Sequence, residues 1–170
     1  MTVATGVAHS EPMSTDATSP EARLQAIGLT IPPAPTSVAS YLGVSIVGNL
    51  AFTAGHGPVV NGKLAHIGRL GENMDVDAGR VSAQTVALNM LATLKAELGD
   101  LGRVERVIKV IVMVNSAPDF EDQPLVADAA TEVFIGAFGR DRGMSARSAV
   151  GMASLPFGIS VEIEGVFQVA

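Results

Sequence analysis

The chain has no cysteine and no tryptophan, and its only tyrosine is Tyr41. Without cysteine there are no disulfides, thiolate nucleophiles, iron–sulfur clusters or cysteine-based zinc sites. The three histidines are His9, His56 and His66, and their spacing matches no metal-ligand pattern, so no metal site is expected. Basic residues are also scarce, 11 Lys and Arg against 17 Asp and Glu, for a net charge of −6. Nucleic-acid binding needs clustered cations to neutralise phosphates, so no nucleic-acid partner is expected. No run reaches the roughly 18 consecutive apolar residues of a membrane-spanning helix, and no membrane partner is expected. The first twenty residues lack the basic start and apolar stretch of a secretory signal, so the expected compartment is the cytoplasm. They are small, polar and proline-containing, so residues 1–19 are expected to be a disordered tail, with Met13 an alternative start to Met1.

What remains is 170 residues, 48% hydrophobic and only 16% charged. That length fits one domain, expected over residues 20–170, with no internal repeat or long linker. Mean hydropathy is +0.37, high for a chain with no membrane span. The apolar surplus must go into a core or a subunit interface.

Ser19-Pro20-Glu21 reads as a helix start, with a capping hydroxyl, proline at the first helical position and an acid near the positive end of the dipole. That short helix should stop at Gly28. Ile31 to Pro35 is an extended, proline-rich connector. Tyr41–Ile46 and Leu50–Ala54 read as a hairpin through Gly48-Asn49. Asn61-Gly62 is a second turn signal. From Asp75 to Leu98 the pattern is helical, with Ala87, Leu91, Leu94 and Leu98 on one face and Asp75 and Gly99 as caps. Val104–Val114 is so apolar and β-branched that it is expected to be a central strand buried on both faces. A second helix is expected over 122–138, ended by Gly139, and two strands over 148–153 and 160–169. The order β-β-α-β-α-β-β gives an α+β sandwich, two helices on one side of a mixed sheet. The other side of the sheet needs a partner, which points to an oligomer.

The last 25 residues hold the chemistry. Arg147 opens a strand, and its planar fork of donors suits a carboxylate in a cleft. Glu162 and Glu164 are two apart on the last strand and so share a face, which is not the core face. One of them could position or deprotonate a water. The plainer alternative is an edge strand with a solvated acidic face. Gly55-His56-Gly57 reads either as a backbone anion nest or as a simple turn. His56 is either a base active near neutral pH or a solvated loop residue. Tyr41 is a packing residue at a strand end or a site residue. No P-loop and no nucleophile elbow is present.

Ala146-Arg147-Ser148, Leu155-Pro156 and Val161-Glu162-Ile163-Glu164 resemble the C-terminal signature of the YjgF/RidA family, also called the L-PSP endoribonuclease family. Tyr41, Gly48-Asn49 and Thr53-Ala54-Gly55 are similar to its early hairpin, and Val107–Val114 with Asp119-Phe120 also fit. The resemblance spans about residues 38–170. It implies a chorismate-mutase-like fold and a homotrimer, with the sheets packed into a barrel-like core and clefts between subunits. It implies hydrolysis of reactive enamines and 2-imino acids to 2-oxo acids and ammonia, without a metal or organic cofactor. By position, Arg147 would clamp the substrate carboxylate, Glu162 would orient the attacking water, Tyr41 would line the cleft and Gly55 would offer backbone contacts. Three positions depart from the deaminase branch, marking a divergent side branch. Asp128 replaces an Asn and, if ionised, would repel a carboxylate. His56 stands for a Gln, and Ala149 for a Cys. The redrawn pocket keeps open a second function, a trimer that binds a small carboxylate without turnover. A ribonuclease activity, suggested by the family's older name, finds no basic track or stacking platform.

Overall fold

The computed structural model describes residues 19–35 and 40–170. The expected tail therefore lies outside the described residues, except for Ser19, as do His9 and Met13.

Helix α1 (Pro20–Ala26) is capped as its sequence requires. The Ser19 hydroxyl accepts the Ala22 N–H at 3.2 Å, and Gly28 leaves with φ 80°. Leu24 is fully buried, and Glu21 pairs with Lys95 at 3.0 Å, tying α1 to the long helix behind it.

Strands β1 (Val44–Val47) and β2 (Leu50–Thr53) form the expected hairpin. Two-residue strands β3 (Val59–Val60) and β4 (Lys63–Leu64) follow, joined by Asn61-Gly62 with φ of 51° and 75°. Such a pair of left-handed residues is the turn that Asn-Gly favours between antiparallel strands. Helix α2 (Val76–Leu98) starts where the Asp75 carboxylate accepts the Ala78 N–H at 2.8 Å and ends at Gly99. Ala87, Leu91, Leu94 and Leu98 are all buried, as their spacing implied. Strand β5 (Val104–Asn115) leads to α3 (Gln123–Phe138), a short helix α4 (Arg140–Gly143), then β6 (Ala146–Met152) and β7 (Val161–Val169).

The main sheet runs β1-β2-β7-β5-β6, and β5–β6 is its only parallel pair. A parallel neighbour needs a crossover, and α3 with α4 supplies it. Helices α2 and α3 pack together on one face of the sheet. This is the α+β sandwich expected, with α1, the β3–β4 ribbon and α4 added to the order. No helix among the described residues is long and apolar enough to cross a membrane.

One expectation fails. Strand β5 is buried on one face only. Val107, Val110, Val112 and Val114 face the helices, while Ile111 and Met113 are only partly covered. Both helices lie on the same side, so burial alternates along the strand. Strand β7 alternates in the same way, with Val161, Ile163 and Phe167 inside and Glu162, Glu164 and Val166 outside. The outer face also carries Val47, Phe52 and Val150, which are 68%, 42% and 40% exposed.

Candidate functional site

The end of β2 meets the start of β7 in a small cleft of about 170 Å³. Gly55, His56 and Gly57 form its floor, and Glu162, Thr93 and Tyr41 reach it from β7, α2 and the segment before β1. Tyr41 is half exposed at the mouth.

The His56 backbone continues the sheet. Its N–H donates to the Ile163 carbonyl at 2.8 Å, and the Ile163 N–H donates back at 3.0 Å. Directly opposed residues share a face, so the imidazole points toward the helices and its neighbour Gly55 toward the outer face. On that outer face the Glu162 side chain lies against Gly55. A Cβ added at Gly55 would meet Glu162 Oε1, with Cδ only 2.9 Å away. Gly55 is therefore required by the approach of the carboxylate. The structure brings Gly55 and Glu162 together, and places Glu164 on the same face but exposed.

The Glu162 carboxylate is half-buried and has no hydrogen-bond or ion-pair partner among the described residues. Burial raises its pKa above the ordinary carboxylate value, and the charge of Glu164 adds to the rise. A carboxylate lacking a cation and short of water holds its proton more tightly, the condition of a general base or acid.

His56 is neither a solvated loop residue nor a free base. It is buried, with Nδ1 at 2.8 Å from the Ala54 carbonyl and Nε2 at 2.9 Å from the Thr93 hydroxyl. A carbonyl only accepts, so Nδ1 carries the proton, and in the neutral ring Nε2 accepts from Thr93. Burial lowers its pKa, outweighing the Ala54 hydrogen bond that raises it. Both ring nitrogens are occupied, so His56 acts as a clamp on the cleft wall. Asn89, one turn before Thr93, completes the clamp. Its amide donates to the carbonyls of Gly57 at 3.1 Å and Val59 at 3.0 Å. Asn89 and Thr93 went unnoticed in the sequence. The signal available was two polar residues set i, i+4 on the buried stripe of α2.

Arg147 is elsewhere. It pairs in register with Val110 on the helix-facing side of β6, the edge strand. Its Nη1 donates to Asp128 Oδ1 at 2.8 Å and to the Thr131 hydroxyl at 2.9 Å, both from α3. Asp128 is thus no free acid confronting a ligand, because it neutralises part of the guanidinium. Nη2 has only a 3.5 Å contact with the Pro124 carbonyl, and Nε has no hydrogen-bond partner among the described residues. Ala149 lies on the same side, partly buried against the core. The candidate residues therefore form two groups, Glu162 with Gly55, His56 and Tyr41, and Arg147 with Asp128. Glu162 and Arg147 lie on opposite faces of the sheet, and His56 shares the helix-facing side with Arg147.

The family model described as "YjgF/chorismate_mutase-like, putative endoribonuclease" matches residues 21–159. The chain belongs to this YjgF family. Protein TCP17 of Trypanosoma cruzi is 36% identical over 147 residues, covering 86% of this chain and 92% of that protein. The crystal structure of Atu1372 from Agrobacterium tumefaciens, of unknown function, is 41% identical with a TM-score of 0.83, covering 89% of this chain and 92% of that one. Escherichia coli YjgF is 27% identical with a TM-score of 0.57, covering 79% and 92%. The resemblance read from Arg147-Ser148, Leu155-Pro156 and Glu162-Ile163-Glu164 is thereby supported over most of the chain.

Proposed function

We propose that this YjgF family member hydrolyses 2-imino acids, and their enamine tautomers, to 2-oxo acids and ammonia, in clefts formed between copies of the chain. The observation that carries this reading is Glu162, a carboxylate without a partner among the described residues, with a raised proton affinity, in a cleft it shares with Gly55, His56 and Tyr41. An imine carbon is already electrophilic, so positioning and one proton transfer suffice. Glu162 accepts a proton from water as the water oxygen bonds to the imine carbon. Glu162 passes that proton to the nitrogen, the hydroxyl proton follows it as the carbonyl forms, and the C–N bond breaks to release ammonia. Arg147 holds the substrate carboxylate through two parallel hydrogen bonds from its Nε and Nη2.

The separation of Arg147 and Glu162 within one chain supports a site shared between copies. Arg147 sits on an edge strand, and the outer face beside Glu162 carries exposed apolar side chains that a second and third copy would cover. The ion pair with Asp128 supports the alternative of carboxylate binding without turnover, since it reduces the charge offered to an anion. The two readings separate in one assay. Imines made in situ by an amino-acid oxidase are mixed with the protein, and 2-oxo acid release is followed. The proposal expects acceleration that is lost in Arg147→Ala and Glu162→Gln. Stabilisation by 2-oxo acids with no acceleration would establish binding alone.

A further inference from the structure

The turn between β6 and β7 carries the most exposed aromatic side chain among the described residues. Phe157 is 72% exposed. Leu155–Gly158 is closed by the Gly158 N–H donating to the Leu155 carbonyl at 3.1 Å, with proline second and Phe157 third. Phe157 has φ 59° and ψ 11°. A third turn residue in that region is ordinarily glycine or asparagine, because a side chain there crowds the backbone. Of the other two non-glycine residues with positive φ, Asn61 obeys that preference and His66, at φ 50°, departs from it as Phe157 does. Phe157 breaks it while gaining almost no burial. A bulky residue held in a strained conformation without core packing points to a use outside the fold.

Phe157 lines the same cleft as Glu162, and the lining also includes the apolar Val59, Leu64, Pro156 and Ile159. Among its polar lining residues, His56 and Thr93 already satisfy each other. We infer that Phe157 is a specificity-determining residue, a platform selecting acids with a bulky aromatic or branched apolar side chain over small ones. The inference rests on the proposed imine chemistry for the polar end of the substrate. For the side chain it rests on the cleft wall alone.

The test pairs two measurements on the full chain and on Phe157→Gly, which relieves the backbone because glycine accepts φ 59°. In the first, imines are generated by an amino-acid oxidase from phenylalanine, leucine or alanine, and kcat/KM is compared. The wild type is expected to favour the phenylalanine and leucine imines. Phe157→Gly is expected to lower that preference about tenfold, chiefly through KM, the scale of a lost apolar contact in a pocket. In the second, thermal stabilisation by phenylpyruvate is compared with that by pyruvate, with oligomeric state checked by light scattering. Phe157→Gly is expected to melt no lower than the wild type and to lose the extra stabilisation by phenylpyruvate. A wild type that treats the three imines alike overturns the inference, as does a Phe157→Gly protein that keeps the preference but melts lower or dissociates. If no imine is turned over yet phenylpyruvate stabilises in a Phe157-dependent way, the deaminase reading fails and the specificity inference stands. Turnover without Phe157-dependent preference leaves the deaminase reading and removes this one.

Discussion

Glu162 and His56 are each held away from their behaviour in water, and each departure has a sign that can be measured. Burial and Glu164 raise the Glu162 pKa, so the fold favours its neutral form. Its contribution to stability is full below the unfolded carboxylate value and is lost as pH rises through the folded value. Glu162→Gln should therefore melt higher than the wild type at pH 8, with the gap closing toward pH 4, while kcat falls about 100-fold. Melting curves at the two pH values and single-substrate kinetics check both halves. His56 has the opposite sign. Burial lowers its pKa, so its stabilising neutral form is present above its ordinary value and is lost as pH falls through the folded value. The wild-type midpoint should decline below about pH 6.5, and His56→Gln should flatten that decline. Asp128 holds Arg147 by one oxygen at 2.8 Å. Asp128→Asn keeps an acceptor there and removes the negative charge, so KM for a carboxylate substrate should fall by up to about fivefold. Asp128→Ala removes the acceptor as well and should raise KM. Equal KM values for the two variants would mean that Asp128 neither charges nor orients the guanidinium.

Among the elements, two glycines show how the same substitution acts through different partners. Alanine at Gly55 meets the far end of the Glu162 side chain, which can swing aside, whereas alanine at Gly143 meets the Phe134 carbonyl and the Ile135 backbone inside the α3–α4 junction. Gly55→Ala should fold with nearly wild-type stability and lose activity by displacing the carboxylate. Gly143→Ala should cost about 2 kcal/mol or more in urea denaturation. The contrast also marks what the sequence could disclose. Helix α2 was readable because its caps, Asp75 and Gly99, and its apolar stripe are local signals. The length of β5 was readable too, but its burial was not, because apolar residues on the outer face look the same in sequence as core residues. Strands β3 and β4 are too short to show any period, and only their Asn61-Gly62 turn was visible. At the site, the alternation of Glu162 with Ile163 gave the face. The convergence of Glu162 on Gly55, and the locking of His56 by Thr93, depend on contacts between distant segments that no spacing encodes. Asp128 looked like an obstacle to a carboxylate until its ion pair with Arg147 appeared.

For the whole molecule, the outer face of the sheet and the divided site raise one question. Val47, Phe52 and Val150 stay exposed on the face turned away from the helices, and Arg147 and Glu162 lie on different sides of that same sheet. In the proposed assembly, a closed ring of three chains would cover the face and would bring one chain's arginine to its neighbour's glutamate. Light scattering should then give three times the 17.4 kDa chain mass. Phe52→Glu, which puts a charge on the covered face, should shift the protein to the single-chain mass and abolish turnover together. A sharper test uses two inactive variants. Arg147→Ala keeps Glu162, and Glu162→Gln keeps Arg147. When the two are unfolded together and refolded as a mixture, a site shared between neighbours regains both residues at about one position in four, so activity should return to about a quarter of wild type. A site built within each chain would regain none, because no single chain in the mixture carries both groups. Recovery also requires that the oligomer exchange subunits during refolding, which mass measurement of a tagged and untagged pair would establish in the same sample.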